Sequence, residues 1–173
     1  MIKNNILLHR KRIIPLLDCV LTEKHNGYNR DGYLFEKVLA EIYRGNGYDT
    51  MITGGTNDGG VDIIAEKGDR RVAIQAKNYS DIMTKKNLRK NDMIDIFSKI
   101  KHTGEKKHGA FTNARLHIYN NNIVSFHPYF MEDINRRYQY CLDDKAVYGK
   151  LWIEHQIENI NEDAFNKISQ LIL

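Results

Sequence analysis

Two short segments near the middle of the chain alternate between apolar and polar positions with a period of two. They are residues 61–67 and 70–77, and Gly68-Asp69 lies between them. Such alternation is typical of β-strands, and strand twist favours a two-residue turn with Gly in first place. The pattern therefore predicts a tight β-hairpin, one face of which is uniformly apolar: Val61, Ile63, Ala65, Val72, Ile74 and Ala76.

The opposite face of this hairpin carries reactive groups. If the turn pairs Lys67 with Arg70, then Asp62 lies directly opposite Gln75, with Cβ atoms about 5 Å apart. Lys77 falls on the same face, because side chains alternate along a strand. A carboxylate, an amide and an ammonium group are therefore expected to converge on an otherwise well-packed hairpin.

Helical spacing of apolar residues accounts for much of the rest of the chain. Helices are predicted at residues 4–24, 32–44, 85–101, 128–140 and 151–172. Further strands are predicted at residues 48–53, 109–112 and 123–127. Pro15 is expected to break or restart the first helix, and residues 159–161 to interrupt the last.

This order of elements predicts an α/β fold with a mixed central β-sheet flanked by helices on both faces. At 173 residues the chain is long enough for one domain with a proper core. We expect a single domain spanning 1–173, with its core at about 30–140. A helical extension would precede the core at 1–28, and a helical tail would follow at about 150–173.

Composition narrows the class of protein. The chain is 42% hydrophobic and 28% charged, which is ordinary for a soluble globular protein, and its net charge of +4 permits a polyanionic partner. Cys19 and Cys141 are far apart and form no disulfide framework, so a cytoplasmic location is expected. No apolar run approaches the roughly 20 residues of a membrane span.

The hairpin residues have the chemistry needed for phosphodiester hydrolysis, in which a cation such as Mg²⁺ stabilises charge on the phosphate and activates a water. Asp62 offers an anionic oxygen, Gln75 a neutral amide oxygen, and the backbone carbonyl of Ala76 a third ligand. Lys77 can position or deprotonate a water, or stabilise developing phosphate charge.

A further carboxylate from a nearby helix would complete such a site. Glu36, near the start of the 32–44 helix, is the candidate. Glu41 is the rival, but it lies about 140° further round that helix, so both cannot serve equally. Asp58 is interpreted either as a turn residue or as a second carboxylate behind the metal ligands.

The remaining motifs either exclude a kind of site or leave two interpretations open. The glycine-rich loop 54–60 lacks the ending of a nucleotide-binding loop and does not open a helix, so a nucleotide site is rejected. The scattered histidines lack zinc-ligand spacing, and neither cysteine has the setting of a nucleophile. A basic turn can contact DNA phosphates or form a solvated face: Lys85, Lys86, Arg89 and Lys90. Tyr79 can stack on DNA or simply pack.

Several of these segments together resemble a known family. They are Gly32-Tyr33-Leu34-Phe35-Glu36, Gly47-Tyr48, Asp58-Gly59-Gly60-Val61-Asp62 and Ile74-Gln75-Ala76-Lys77-Asn78-Tyr79. In order and spacing they resemble the catalytic domain of Mrr-type restriction endonucleases, in the PD-(D/E)xK nuclease superfamily and its subgroup with Gln at the middle acidic position.

The resemblance implies a restriction-endonuclease-like fold and a Mg²⁺-dependent DNA endonuclease, in which Mn²⁺ can substitute. It implies catalytic roles for Glu36, Asp62, Gln75 and Lys77, with Asp62 as principal metal ligand. Asn78, beside Tyr79, is a further candidate for DNA contact. Beyond residue 100 the similarity fades.

Three alternatives stay open from the sequence. The first is a structure-selective nuclease, such as a Holliday junction resolvase or a homing-type enzyme. The second is a catalytically silent DNA-binding module, and the third is a nuclease domain that works with further domains or subunits of a larger system. DNA is the expected partner in each case, and a homodimer is expected if one chain is to help cut both strands.

Overall fold

A five-stranded mixed β-sheet forms the centre of the protein in the computed structural model, which describes residues 2–22, 30–55, 57–78, 90–119, 123–126 and 149–173. Its strands are β1 (Asp49–Ile52), β2 (Ile63–Lys67), β3 (Arg70–Asn78), β4 (Asn113–Tyr119) and β5 (Ile123–Phe126). They lie side by side in chain order. Strands β3 and β4 run parallel, and the other neighbouring pairs are antiparallel, so the predicted mixed sheet is confirmed.

Helices cover both faces of this sheet, as predicted. Those described are α1 (Ile2–Thr22), α2 (Arg30–Gly45), α3 (Lys90–Lys99), α4 (Glu105–His108), α5 (Gly149–Asn159) and α6 (Glu162–Ile172). A π-helical turn, Ile100–Gly104, joins α3 to α4. None of the described helices is long and apolar enough to cross a membrane.

Each face of the sheet has its own hydrophobic core. The first core joins the sheet to α1, α2, α5 and α6, and its strand residues include Ile63, Ala65, Val72 and Ile74. The second core joins the opposite face to α3 and the π-helical turn, through Ile64, Ala73, Leu116, Met93, Phe97 and Ile100. The central hairpin is therefore buried on both sides, which holds its open end in a fixed position.

The predicted register of the hairpin is confirmed from Lys67↔Arg70 to Ile63↔Ile74. The prediction that Asp62 continues this ladder opposite Gln75 is wrong, because Asp62 N–H donates to the carbonyl of Ile74 at 2.8 Å. Asp62 and Ile63 thus both oppose Ile74, which is the arrangement of a β-bulge. The bulge also turns Val61 into the second core, whereas the sequence placed it with Ile63.

Helix α2 forms where the sequence predicts it and buries its apolar stripe in the first core. Its end is closed by two hydrogen bonds, from Gly47 N–H to Arg44 O at 2.9 Å and from Tyr48 N–H to Tyr43 O at 3.0 Å. This is a Schellman motif, and Gly47 supplies the left-handed φ of 84° that it requires. The motif directs the chain straight into β1, which fixes α2 across the hairpin.

Three other predictions need correction. Helix α1 continues through Pro15, because Ile13, Leu17 and Leu21 bury one face in the first core while Pro15 stays exposed. Residues 109–112 are not a strand; β4 begins at Asn113, where pairing with Val72 starts. The helix predicted to end near residue 101 instead continues to His108. Its predicted start and the 128–140 helix lie outside the described residues.

The two ends of the chain pack on the same layer. The guanidinium of Arg10 in α1 donates to the carbonyl of Ile160 at 2.5 Å and to those of Ile157 and Glu158 at 3.3 Å. The predicted break at 159–161 is confirmed, and Asn161 caps α6 by accepting from Ala164 N–H at 2.9 Å. The terminal helices are therefore packed into the core that supports the hairpin.

Candidate active site

Asp62 is held at the open end of the hairpin by the bulge. Its carboxylate accepts hydrogen bonds from the backbone N–H of Ala76, at 2.7 Å, and from the side-chain amide of Gln75. Thr53 N–H donates to the Asp62 carbonyl at 2.9 Å. Both the backbone and the carboxylate of this residue are thus fixed, and only 9% of it is exposed.

Gln75 and Lys77 lie on the face of β3 that packs against the second core, since their partners on β4 are Leu116 and Ile118. Gln75 is buried, and Lys77 is half-buried two residues further towards the end of the strand. The amide nitrogen of Gln75 donates a hydrogen bond to the Asp62 carboxylate, and the amide oxygen Oε1 faces Gly60. The amide therefore has a free acceptor side beside the carboxylate.

The loop before Asp62 brings a second carboxyl group. Asp58 Oδ1 accepts a hydrogen bond from Gly60 N–H at 2.8 Å, which closes a tight turn. Burial raises the pKa of Asp62, and the negative charge of Asp58 raises it further. Asp58 thus lies close enough to Asp62 for the two charges to interact.

Glu36 reaches the same place from the first turns of α2. Burial first, then the charges of Asp62 and Asp58, raise its pKa to about 7, while Lys77 lowers it. The rival Glu41 instead forms an ion pair with Arg44 on its own helix. Of the two glutamates, Glu36 is the one that the structure brings to the hairpin residues.

Three carboxyl groups therefore oppose one another here, with one lysine to offset them. The pKa of Asp62 rises to about 6, because burial and Asp58 outweigh the Ala76 N–H and Lys77. Carboxyl groups that raise one another's pKa hold protons near neutral pH, and a bound cation replaces those protons. The electrostatics thus fit a cation-binding site.

The donor set fits a hard divalent cation. The oxygens available are those of Asp62, Glu36, the Gln75 amide and the Ala76 carbonyl, and oxygen ligands are those that Mg²⁺ prefers. In the part of the chain that the structure describes, no three His, Cys, Asp or Glu side chains are grouped around one ion position. Neutral oxygens from β3 are therefore needed beside the carboxylates.

The residues predicted to contact DNA are only partly described. Lys90 is exposed at the first position of α3. Asn78 donates its side-chain amide to the carbonyl of Leu21 in α1 at 2.9 Å, on the sheet face opposite Lys77. The others lie outside the described residues: Tyr79, Lys85, Lys86 and Arg89.

Residues far along the chain touch the site loop and were missed by sequence reasoning. His108 contacts the Asp58 carbonyl, Gly104 lies against Gly59, and the Lys99 stem lies beside Gly60. No local motif marks them. The one available signal is Gly104 within a helical pattern, which points to a close approach of another backbone.

A comparison with models of protein families identifies the family of this chain. The family model Mrr_cat, described as restriction endonuclease, matches residues 28–116, just over half of the 173 residues. The match includes α2, the hairpin and most of β4, and so every residue of the site described above. No curated protein and no solved structure matches the chain. The chain therefore belongs to the Mrr-type restriction endonuclease family of catalytic domains.

Proposed function

We propose that this protein is a divalent-metal-dependent DNA endonuclease that hydrolyses phosphodiester bonds, with Mg²⁺ as cofactor and Mn²⁺ as substitute. The observation that supports it best is the buried Asp62 carboxylate, which Ala76 N–H and the Gln75 amide hold at the open end of the hairpin. Glu36, Asp58 and Lys77 lie close enough for their charges to interact there. Keeping three carboxyl groups together costs free energy that a purely structural element would avoid.

In this proposal Asp62, the Gln75 amide oxygen, the Ala76 carbonyl and Glu36 hold the cation. The cation supplies positive charge to the phosphate and makes a bound water more acidic. The Ala76 N–H fixes one oxygen of Asp62 and leaves its other oxygen for ligation. Asp58 supports the arrangement by closing the turn before Asp62, where its carboxylate accepts from Gly60 N–H at 2.8 Å.

Lys77 has a role that needs no ligation. Its ammonium acts on both Glu36 and Asp62, because it lowers the pKa of each. From that position Lys77 can orient the attacking water and stabilise the charge that develops on the phosphate oxygens. Exposed Lys90, together with Lys85, Lys86 and Arg89, is proposed to contact DNA phosphates, with Asn78 and Tyr79 near the cut strand.

One such site hydrolyses one strand. Cleavage of a duplex therefore requires a homodimer or two sequential nicks, and it can involve further subunits of a larger nuclease system. A structure-selective nuclease, of the junction-resolving or homing type, would use the same residues on another DNA shape. A silent DNA-binding module would keep the fold and lose the cation.

The test is cleavage of supercoiled, linear and four-way-junction DNA with Mg²⁺ or Mn²⁺. Wild type is compared with Asp62→Ala and Lys77→Ala, and with Asp69→Ala in the exposed hairpin turn as a control. We expect metal-dependent cutting that is lost in the first two variants and kept in the third. Preference for the junction would favour the structure-selective enzyme. Absence of cutting with DNA binding intact would overturn the proposal.

A further inference from the structure

The loop that carries Asp58 is held from outside the hairpin by the helical segment Ile100–His108. This segment consists of the π-helical turn and α4, and it packs beside residues 57–60. A π-helical turn inside a helix is rare and is frequently found at functional sites. The contacts between segment and loop show what this one does.

The first contact is between two glycines. A Cβ atom placed on Gly59 would lie 2.6 Å from the Cα of Gly104, far inside van der Waals contact. A Cβ placed on Gly104 would lie 2.9 Å from Val61 Cγ2 and 3.0 Å from the Gly59 carbonyl oxygen. Gly59 also has a left-handed φ of 71°. The two backbones can therefore meet only because both residues lack a side chain.

The second set of contacts fixes the carbonyls of the loop. His108 Nε2 lies 2.9 Å from the carbonyl oxygen of Asp58, and Lys107 Nζ donates to the carbonyl of Asn57. A carbonyl oxygen can only accept, so His108 Nε2 carries the proton. The Asp58 carbonyl also accepts from Val61 N–H at 3.4 Å, one residue before Asp62. His108 is thus linked, through the Asp58 carbonyl, to the residue that comes directly before Asp62.

We propose that His108 is a positioning residue for the hydrolytic reaction, which holds the Asp58 backbone and so fixes the loop that leads into Asp62. Lys107 and the Gly59–Gly104 contact belong to the same clamp. His108 touches neither carboxyl group in the structure, so it acts through the loop. This inference rests on the proposed function, since positioning has a catalytic consequence only if Asp62 takes part in the reaction.

The test compares His108→Ala with His108→Gln, whose amide can still donate near the position of Nε2. The control is His102→Ala, an exposed histidine in the π-helical turn. We expect kcat to fall by about 10- to 100-fold in His108→Ala with KM little changed. Losses of this size are usual for residues that orient a metal-binding side chain without touching the metal. His108→Gln should recover most of the loss, and His102→Ala should match wild type.

A second readout needs neither DNA nor metal. Gly60 N–H donates to Asp58 Oδ1, so its hydrogen-exchange rate reports the loop directly. His108→Ala and Lys107→Met should speed this exchange by about tenfold, while Lys106→Met, at the exposed neighbouring lysine, should not. If the wild-type protein leaves DNA uncut while exchange is faster in His108→Ala, the proposed function is wrong, and the catalytic role of His108 is wrong with it.

Two results would overturn the positioning role of His108 but leave the proposed nuclease function intact. One is unchanged kcat and unchanged exchange in His108→Ala when wild type cuts DNA. The other is equal loss of kcat in the Ala and Gln variants with unchanged exchange at Gly60, which would mean that His108 acts on the substrate itself. If His108→Ala does not fold, the paired variants Lys107→Met and Lys106→Met decide the same question.

Discussion

The carboxylate of Asp62 accepts a hydrogen bond from the backbone N–H of Ala76 at 2.7 Å, where the ladder between β2 and β3 has already stopped. A buried N–H without a partner is costly, so the bulge requires a side-chain acceptor at this point. Asp62 meets that need and is oriented by it. The same contact therefore completes the hairpin and points the carboxylate at the site.

Asp62→Asn should abolish most cleavage while leaving the fold intact. The amide oxygen can still accept from Ala76 N–H, but the anionic oxygen is lost, so we expect activity to fall by about 10²-fold or more. Steady-state cleavage and thermal melting measure the two effects. Asp69→Asn in the exposed turn is the matched control. Wild-type activity in Asp62→Asn would show that this carboxylate takes no part in the reaction.

Glu36→Gln should make the metal-free protein more stable at pH 8 while it weakens cleavage. The pKa of Glu36 rises from 4.5 to about 7, so the folded protein binds the extra proton between these values. Its contribution to stability is present in full below pH 4.5 and is lost as the pH rises through 7. Above pH 7 the ionised carboxylate is partly buried and also faces Asp62 and Asp58. A neutral amide removes both the cost of burying the charge and the repulsion.

The check on Glu36→Gln is chemical denaturation at pH 5 and pH 8 without divalent metal. The difference in unfolding free energy between variant and wild type should be larger at pH 8. Glu162→Gln, an exposed glutamate in α6, should show no such difference between the two pH values. A variant that is less stable than wild type at pH 8 would contradict the electrostatic account of this site.

Much of this site follows from local sequence pattern, because a hairpin is specified locally. Alternation and the Gly68-Asp69 turn fix the register, and the register brings Gln75 close to Asp62. Helix α2 is equally local, since its apolar stripe and the closing Gly47 are adjacent in the chain. The strand pattern could not reveal the bulge, because the acceptor that permits it is the Asp62 side chain itself.

The missed features depend on contacts between distant parts of the chain. Helix α1 passes through Pro15 because tertiary burial of Leu17 and Leu21 outweighs the local cost of the proline. The clamp of His108 on Asp58 joins residues 50 positions apart, and no spacing rule relates them. Sequence pattern thus predicted the residues that meet at the open end of the hairpin but not the distant ones that hold the loop before it.

Arg10→Ala should destabilise the whole domain, because the guanidinium satisfies carbonyls at the end of α5 and lies 4.8 Å from the Phe165 ring centroid. Charged hydrogen bonds of this kind contribute about 1.5–3 kcal/mol, and we expect a loss of that size. Denaturation at 25 °C measures it. Arg12→Ala, at an exposed position of the same helix, should stay within about 0.5 kcal/mol of wild type. Equal stability of the two variants would show that α1 contributes little to the fold.

His117 should make the protein lose stability in acid. It is fully buried on β4, where the Tyr43 hydroxyl lies 2.8 Å from Nε2, and burial, then the charge of Arg115, lowers its pKa to about 3. In the unfolded chain His117 binds a proton near pH 6.5, whereas in the folded protein it stays neutral until about pH 3. Stability is therefore lost as the pH falls from 6.5 towards 3.

Replacing His117 by Gln isolates this contribution. One proton that the unfolded chain binds and the folded protein does not changes the unfolding free energy by about 1.4 kcal/mol per pH unit. Glu36 and Asp62 act in the opposite direction in part of this range, because their pKa values are raised, and they are common to both proteins. Below pH 6.5, the stability of His117→Gln should therefore fall less steeply than that of wild type, by about that amount per pH unit, in measurements from pH 7 to 4. His155→Gln, at an exposed position of α5, should keep the wild-type slope. Equal slopes in all three proteins would mean that His117 takes up its proton in the folded state, and hence that the interior at β4 is open to water.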